Sequence, residues 1–241
     1  MTKRTRKPTG SIGPFEVHCD GTRLEVQSRF VQFPQTKEEI ENLIVQGFAA
    51  QARREGILPN PIRIQRNRID DFDFTLETSH SSRYLELMEV APLELTGGSH
   101  HATSGTFRPY DLARGAMDKL QRKSIRYAGV ARNTGIVLVL YITHWTFTPN
   151  DTATMLLQYW CYREPHCFEE IFFYRPHDET CGMLSVLHPT PMEHWQQWAD
   201  FDPESCRDDI VHNLMPAAVR IDDEGHPGVV MGTTVSRNSK R

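Results

Sequence analysis

The chain has 241 residues, 39% of them apolar, with 15 glycines besides; this sits at the low edge of globular composition and excludes a mostly disordered chain. Its 27 Lys+Arg against 31 Asp+Glu give a formal charge of −4, which excludes a globally basic nucleic-acid coat but not a local basic patch. No apolar run approaches the roughly 20 residues that cross a bilayer, and the basic start MTKRTRKPTG lacks the apolar stretch of a signal peptide. Five dispersed cysteines, Cys19, Cys161, Cys167, Cys181 and Cys206, suit a reducing compartment better than a disulfide framework. Together these predict a cytoplasmic protein with no membrane partner.

In chain order, residues 1–13 and 233–241 are polar and basic, without apolar periodicity, and are expected to be mobile tails around a single domain over 14–232. Phe15–Cys19 and Thr22–Val26 alternate around Asp20-Gly21, the strongest short hairpin signal. Thr36 stands three residues before Glu39 as a capping box, and Ile40, Leu43, Ile44, Gly47 and Phe48 follow at helical spacing, predicting a helix from about 37 to about 55. Pro59 and Pro61 then break the chain, and an extended stretch from Ile62 to Glu77 leads through a turn to a strand over Tyr84–Val90. After a Gly-rich loop, Asp111 is a suitable N-cap for a helix reaching about Tyr127. The continuous apolar run Ile136–Ile142 is the mark of a central strand covered on both faces. Thr152–Tyr162 is expected to be helical, Phe168–Tyr174 and Met183–Leu187 to form a second hairpin, and Trp195 and Trp198 to sit on a short helix.

The informative segment is the pair of strands that ends in carboxylates. Alternate side chains of a strand share a face, so Phe72, Phe74 and Leu76 are expected on one side and Asp71 and Asp73 on the other. On the second strand Leu85 and Leu87 oppose Glu86 and Met88. Only registers that set the first apolar group beside Leu85 and Leu87 make a continuous apolar face. These registers place Asp73 opposite Glu86 or Met88, and gather Asp71, Asp73 and Glu86 on one surface. Converging carboxylates repel unless something compensates, and a hard divalent cation, Mg²⁺ or Mn²⁺, is the usual compensation. The plainer alternative is a solvated acidic face meeting Arg68 or Arg83.

The order of elements resembles the PD-(D/E)XK nuclease superfamily, whose pattern is a helix, a hairpin carrying an Asp and then Glu-x-Lys, a helix and a buried strand. Here the pattern spans about residues 37–145, with Asp73 or Asp71 as the aspartate and Glu86-Leu87-Met88 at the Glu-x-Lys position. The family core has three strands before the second helix, and Ile62–Arg66 would be the third. The resemblance implies an α/β fold: a mixed central sheet flanked by helices, a restriction-endonuclease-like core, an N-terminal β-hairpin and a C-terminal α/β extension. It further implies metal-dependent cleavage of DNA or RNA phosphodiesters, with Asp73 and Glu86 as ligands and Asp71 as a further one. Met88 stands where the family has its lysine. That departure favours a second reading, a catalytically degenerate scaffold that binds nucleic acid or a protein; a third is an unrelated α/β interaction protein.

The missing cation has a candidate replacement. At about 100° per residue, Leu112, Ala113, Ala116, Met117, Leu120 and Tyr127 form the sheet-facing stripe of the second helix. Lys123 lies inside that stripe, Lys119 on its edge, and Arg114, Arg122 and Arg126 on the outer face. A lysine in an apolar stripe either finds an anion or snorkels to water. With Tyr127 four residues on, the layout is similar to the Gln-x-x-x-Tyr helix motif of RecB-like nucleases, with Lys123 in the Gln position; this makes Lys123 the expected charge stabiliser and Lys119 and Tyr127 expected substrate contacts. His100 and His101, in the loop after the second strand, are expected within reach of a phosphate or metal. Cys161, His166, Cys167, His177 and Cys181 carry zinc-type ligands, but their spacing matches no knuckle, and separate roles are expected. The aromatic cluster from Tyr159 to Tyr174 is expected to be core.

Overall fold

The capping box is formed in the computed structural model: Thr36 Oγ1 accepts from the Glu39 amide at 3.3 Å while Glu39 reaches back to the Thr36 amide. It starts helix α1 (Lys37–Arg54). The described residues are 12–13, 15–20, 23–28, 31–58, 63–67, 72–78, 81–91, 106–129, 131, 134–178, 180–190, 198–214, 219–221, 227–229 and 232–236. Strands β1 (Phe15–Asp20) and β2 (Arg23–Ser28) pair as a separate hairpin. Asp20, expected in the turn, is instead the last residue of β1 and pairs with Arg23.

Strands β3 (Arg63–Arg66), β4 (Phe74–Glu77) and β5 (Ser82–Glu89) follow α1, so the expected third strand exists. A two-residue strand β6 (Thr106–Phe107) precedes helix α2 (Pro109–Tyr127). This helix starts two residues before the predicted cap: Arg108 is the N-cap, and Pro109, with no amide to leave unpaired, occupies the first turn together with Asp111. Strand β7 (Ile136–Tyr141), helix α3 (Asp151–Arg163), β8 (Glu170–Pro176) and β9 (Gly182–His188) complete the main body. Beyond it lie β10 (Ile210–Leu214), β11 (Val219–Ile221), β12 (Pro227–Val229) and β13 (Gly232–Ser236).

The central sheet has six strands in the order β3-β4-β5-β7-β8-β9. β5, β7 and β8 run parallel, joined by the α2 and α3 crossovers, and the outer pairs are antiparallel. The fold is therefore α/β with a mixed sheet flanked by three helices. Every residue of β7 is buried, as its uninterrupted apolar sequence requires of a strand with parallel neighbours and helices on both faces. α1 covers one face, where Phe48 meets Phe172 and Tyr174 at ring-centroid distances of 5.4 and 6.3 Å. α2 and α3 pack together on the other, through Tyr110 against Trp160 and Met117 against Cys161.

Structure is described inside both expected tails. Ile12 is buried and its carbonyl accepts from the Val31 amide at 2.8 Å. Residues 232–236 pair with β10, because backbone hydrogen bonding adds an edge strand without needing apolar periodicity. Residues 1–11, Asp71, His100, His101 and Trp195 lie outside the described residues. Among the described residues no helix is long and apolar enough to cross a membrane.

Candidate functional site

The β4–β5 ladder pairs Phe74 with Leu85 and Leu76 with Arg83. Phe74, Leu76, Leu85 and Leu87 are buried on the α1 side, and one further step of the same register sets Asp73 opposite Glu86. The pairing stops at Phe74, and Leu87, two residues past the last paired position of β5, donates its amide to Asp73 Oδ2 at 2.8 Å instead. The aspartate thus finishes the ladder with its side chain.

Phe72 departs from the alternation. Its ring stacks on Tyr84 at 4.3 Å and lies 4.6 Å from Tyr127, both on the Glu86 side of the sheet. The chain bends at Asp73, where strand geometry and its two-residue period end, so the Phe72 ring falls on the opposite side from Phe74.

Glu86 is 5% exposed, a carboxylate inside the sheet. Lys123 of α2 ion-pairs with its Oε1, and Tyr127, one turn further, donates its hydroxyl to the same oxygen at 3.0 Å. Lys123 therefore meets the anion rather than solvent. Burial, and then the Glu86 charge, hold the Tyr127 hydroxyl well above its ordinary range, so it stays a donor. Asp73 is pushed up from 3.8 to about 6, first by burial and then by the neighbouring Glu86 charge; the Leu87 amide and Lys123 oppose the rise.

A third carboxylate contributes. Glu41 of α1 is buried, and its charge also raises the Asp73 proton affinity. Arg66 holds it, donating at 2.9 Å to Glu41 and at 2.8 Å to the Glu38 carbonyl, with its guanidinium 4.8 Å above the Phe74 ring. Reading α1 for apolar residues alone missed Glu41. The signal was present: Glu41 stands three and four residues before Ile44 and Val45, inside the buried stripe.

Arg122 and Arg126 are exposed, as an outer face requires, and with Lys119, Lys123 and Met88 they also line a concavity of about 320 Å³. Arg114 faces α3, pairing with Glu164 at 2.5 Å beside Trp160. Lys119 reaches the Ala91 carbonyl at 3.4 Å, just past the end of β5.

The donor set at Asp73 and Glu86 fits a hard divalent cation. Both groups are carboxylates, and their crowding raises a proton affinity that a bound cation would lower. Lys123 and Tyr127 both bond Glu86 Oε1, and Leu87 bonds Asp73 Oδ2, so each carboxylate has a second oxygen outside these bonds. Among the described residues no three His, Cys, Asp or Glu lie close enough together to share one ion, so water or backbone oxygen would complete the shell. The zinc-type residues are dispersed: Cys161 lies in the core against Met117, while Cys181 bonds Asp178. Compared with family models, curated proteins and solved structures, the chain matches none of them.

Proposed function

We propose that the protein is a divalent-metal-dependent phosphodiesterase acting on nucleic acid, built on a restriction-endonuclease-like core. One observation carries this reading: Asp73, just before β4, lies close enough to Glu86 of β5 to feel its charge, and the crossover helix delivers a lysine to Glu86. Within the central sheet the order is helix, three strands, helix, strand, with the two-residue β6 paired elsewhere, and this order supports the fold assignment. Asp73 and Glu86 would hold Mg²⁺ or Mn²⁺, which supplies a water nucleophile of lowered pKa and neutralises charge developing on the phosphate.

The remaining roles belong to the chain itself. Lys123 ion-pairs with Glu86 and sets a positive charge beside the carboxylates, where it would stabilise charge developing on a phosphate. Tyr127 orients Glu86 by a second bond to the same oxygen. Asp73, anchored by the Leu87 amide, is held half-buried beside Glu86. A lysine on the helix thus stands in for the lysine that Met88 displaces on the strand.

The experiment is cleavage of end-labelled single-stranded and duplex DNA and RNA with Mg²⁺, Mn²⁺ or chelator, by the native protein and by Glu86→Gln. Metal-dependent cleavage lost in the variant, with its unfolding transition preserved, is the expected result. Absence of cleavage of every substrate by the native protein, or undiminished cleavage by Glu86→Gln, overturns the proposal. The first of these outcomes favours the degenerate scaffold.

A further inference from the structure

Lys119, Arg122, Lys123 and Arg126 stand at i, i+3, i+4 and i+7 on α2, one continuous stripe of four cations. Like charges at this spacing repel and weaken a helix, and the chain as a whole is net acidic at −4, so general basicity does not account for them. The stripe borders a concavity of about 320 Å³ whose fifth lining residue is the buried Met88. Lys123 is engaged by Glu86, but Arg122 is exposed and makes no ion pair among the described residues. An apolar floor beneath cationic walls strengthens the field felt by an anion in the hollow.

We propose that this hollow seats the sugar–phosphate backbone of a nucleic-acid strand, gripped by Arg122 and Arg126 with help from Lys119, beside the carboxylate pair. The proposal rests on the phosphodiesterase reading only for where a cut would fall; binding needs no cut. Arginine suits the task because its planar fork matches two phosphate oxygens at once. From residue 119 to 126 the helix rises about 10 Å, against one phosphate per roughly 3.4 Å of axis on a strand. The stripe therefore spans two or three successive phosphates, which a polymer fills and a single phosphate ion does not.

The test is fluorescence anisotropy of a labelled single-stranded oligonucleotide in chelator, titrated across KCl concentrations, for the native protein, Arg122→Ala/Arg126→Ala, Arg122→Lys/Arg126→Lys and Glu86→Gln. Losing two phosphate contacts should weaken binding at low salt at least tenfold and flatten the slope of log K against log salt by about 1.4. The lysine pair should keep the native slope, Glu86→Gln should bind at least as tightly as the native protein because Lys123 is released from its ion pair, and the alanine pair should unfold like the native protein. Unchanged affinity and slope in the alanine pair, or displacement of the oligonucleotide by equimolar pyrophosphate, overturns the proposal. Slope-dependent binding by a protein that cuts nothing would remove the phosphodiesterase reading and keep this one. Metal-dependent cutting with binding untouched in the alanine pair would do the reverse.

Discussion

Asp73 should cost the metal-free protein stability, and replacing it should recover that cost. Its carboxyl titrates near 6 in the folded chain against 3.8 as a free side chain, because burial and the Glu86 charge disfavour its ionised form. Between these values the folded state binds more protons than the unfolded one, so stability falls as pH rises from about 4 to above 6. About two pKa units at 1.36 kcal/mol each set a ceiling near 3 kcal/mol at pH 7.5; partial exposure of Asp73 brings this to about 1–3. Asp73→Asn keeps the shape and an acceptor for the Leu87 amide while removing the charge. Urea unfolding at pH 7.5 should therefore show the variant about 1–3 kcal/mol more stable than the native protein, with an unchanged m-value. At pH 4 the advantage should vanish, since the native Asp73 is then protonated in the folded state. Millimolar Mg²⁺ or Mn²⁺ at pH 7.5 should stabilise the native protein and leave Asp73→Asn unmoved. A variant less stable than native at pH 7.5, or a gain that persists at pH 4, would refute the reasoning.

Lys123→Met strands the Glu86 carboxylate beside Asp73; with the pair partly open to solvent the expected loss is about 2–3 kcal/mol in urea unfolding at pH 7.5. In a Glu86→Gln background the same substitution should cost under about 1 kcal/mol, and equal costs in both backgrounds would sink the coupling. Met88→Lys should destabilise by about 2 kcal/mol or more, since it desolvates a fifth cation among Lys119, Arg122, Lys123 and Arg126; a neutral effect would mean that the hollow does not concentrate positive charge. Gly47→Ala should lose stability by about 1–3 kcal/mol despite the better helix former, because its Cβ would overlap the Tyr174 hydroxyl. That hydroxyl is buried with no hydrogen-bond partner among the described residues, so Tyr174→Phe should restore most of the loss, measured by thermal unfolding of the double variant.

The strand register was legible because one face had to be apolar: Phe74, Leu76, Leu85 and Leu87 admit few pairings, and Asp73 reaches Glu86 as a consequence. Lys123 was legible for a similar reason, since a cation in a buried stripe requires an anion within reach. Phe72 was not, because alternation holds only inside a strand and nothing in the letters marks Asp73 as the point where the ladder ends. The cationic stripe was split by treating residues 122 and 126 as an outer face, although they adjoin Lys119 on the same helix arc. Glu41 fell outside an inventory of apolar side chains even though the sheet buries it as thoroughly as Ile40.

Position 88 shows why the cation sits on the helix. It shares a sheet face with Glu86, so a lysine there would reach the carboxylate along the strand. In this chain, however, that face is roofed by α2, whose stripe of four cations surrounds the position, and a buried ammonium there would meet like charge on every open side. An apolar residue is the compatible choice, and Met88, 3% exposed, fills the floor with an unbranched, adaptable side chain. Lys123 then serves two neighbours at once: its ammonium neutralises Glu86 below, and its place in the stripe joins it to Arg122 and Arg126 above. A lysine on the helix thereby links the carboxylate pair to the cationic hollow through a single residue. A loss of Lys123 would be felt on both sides, whereas a loss of Arg122 would be felt on one.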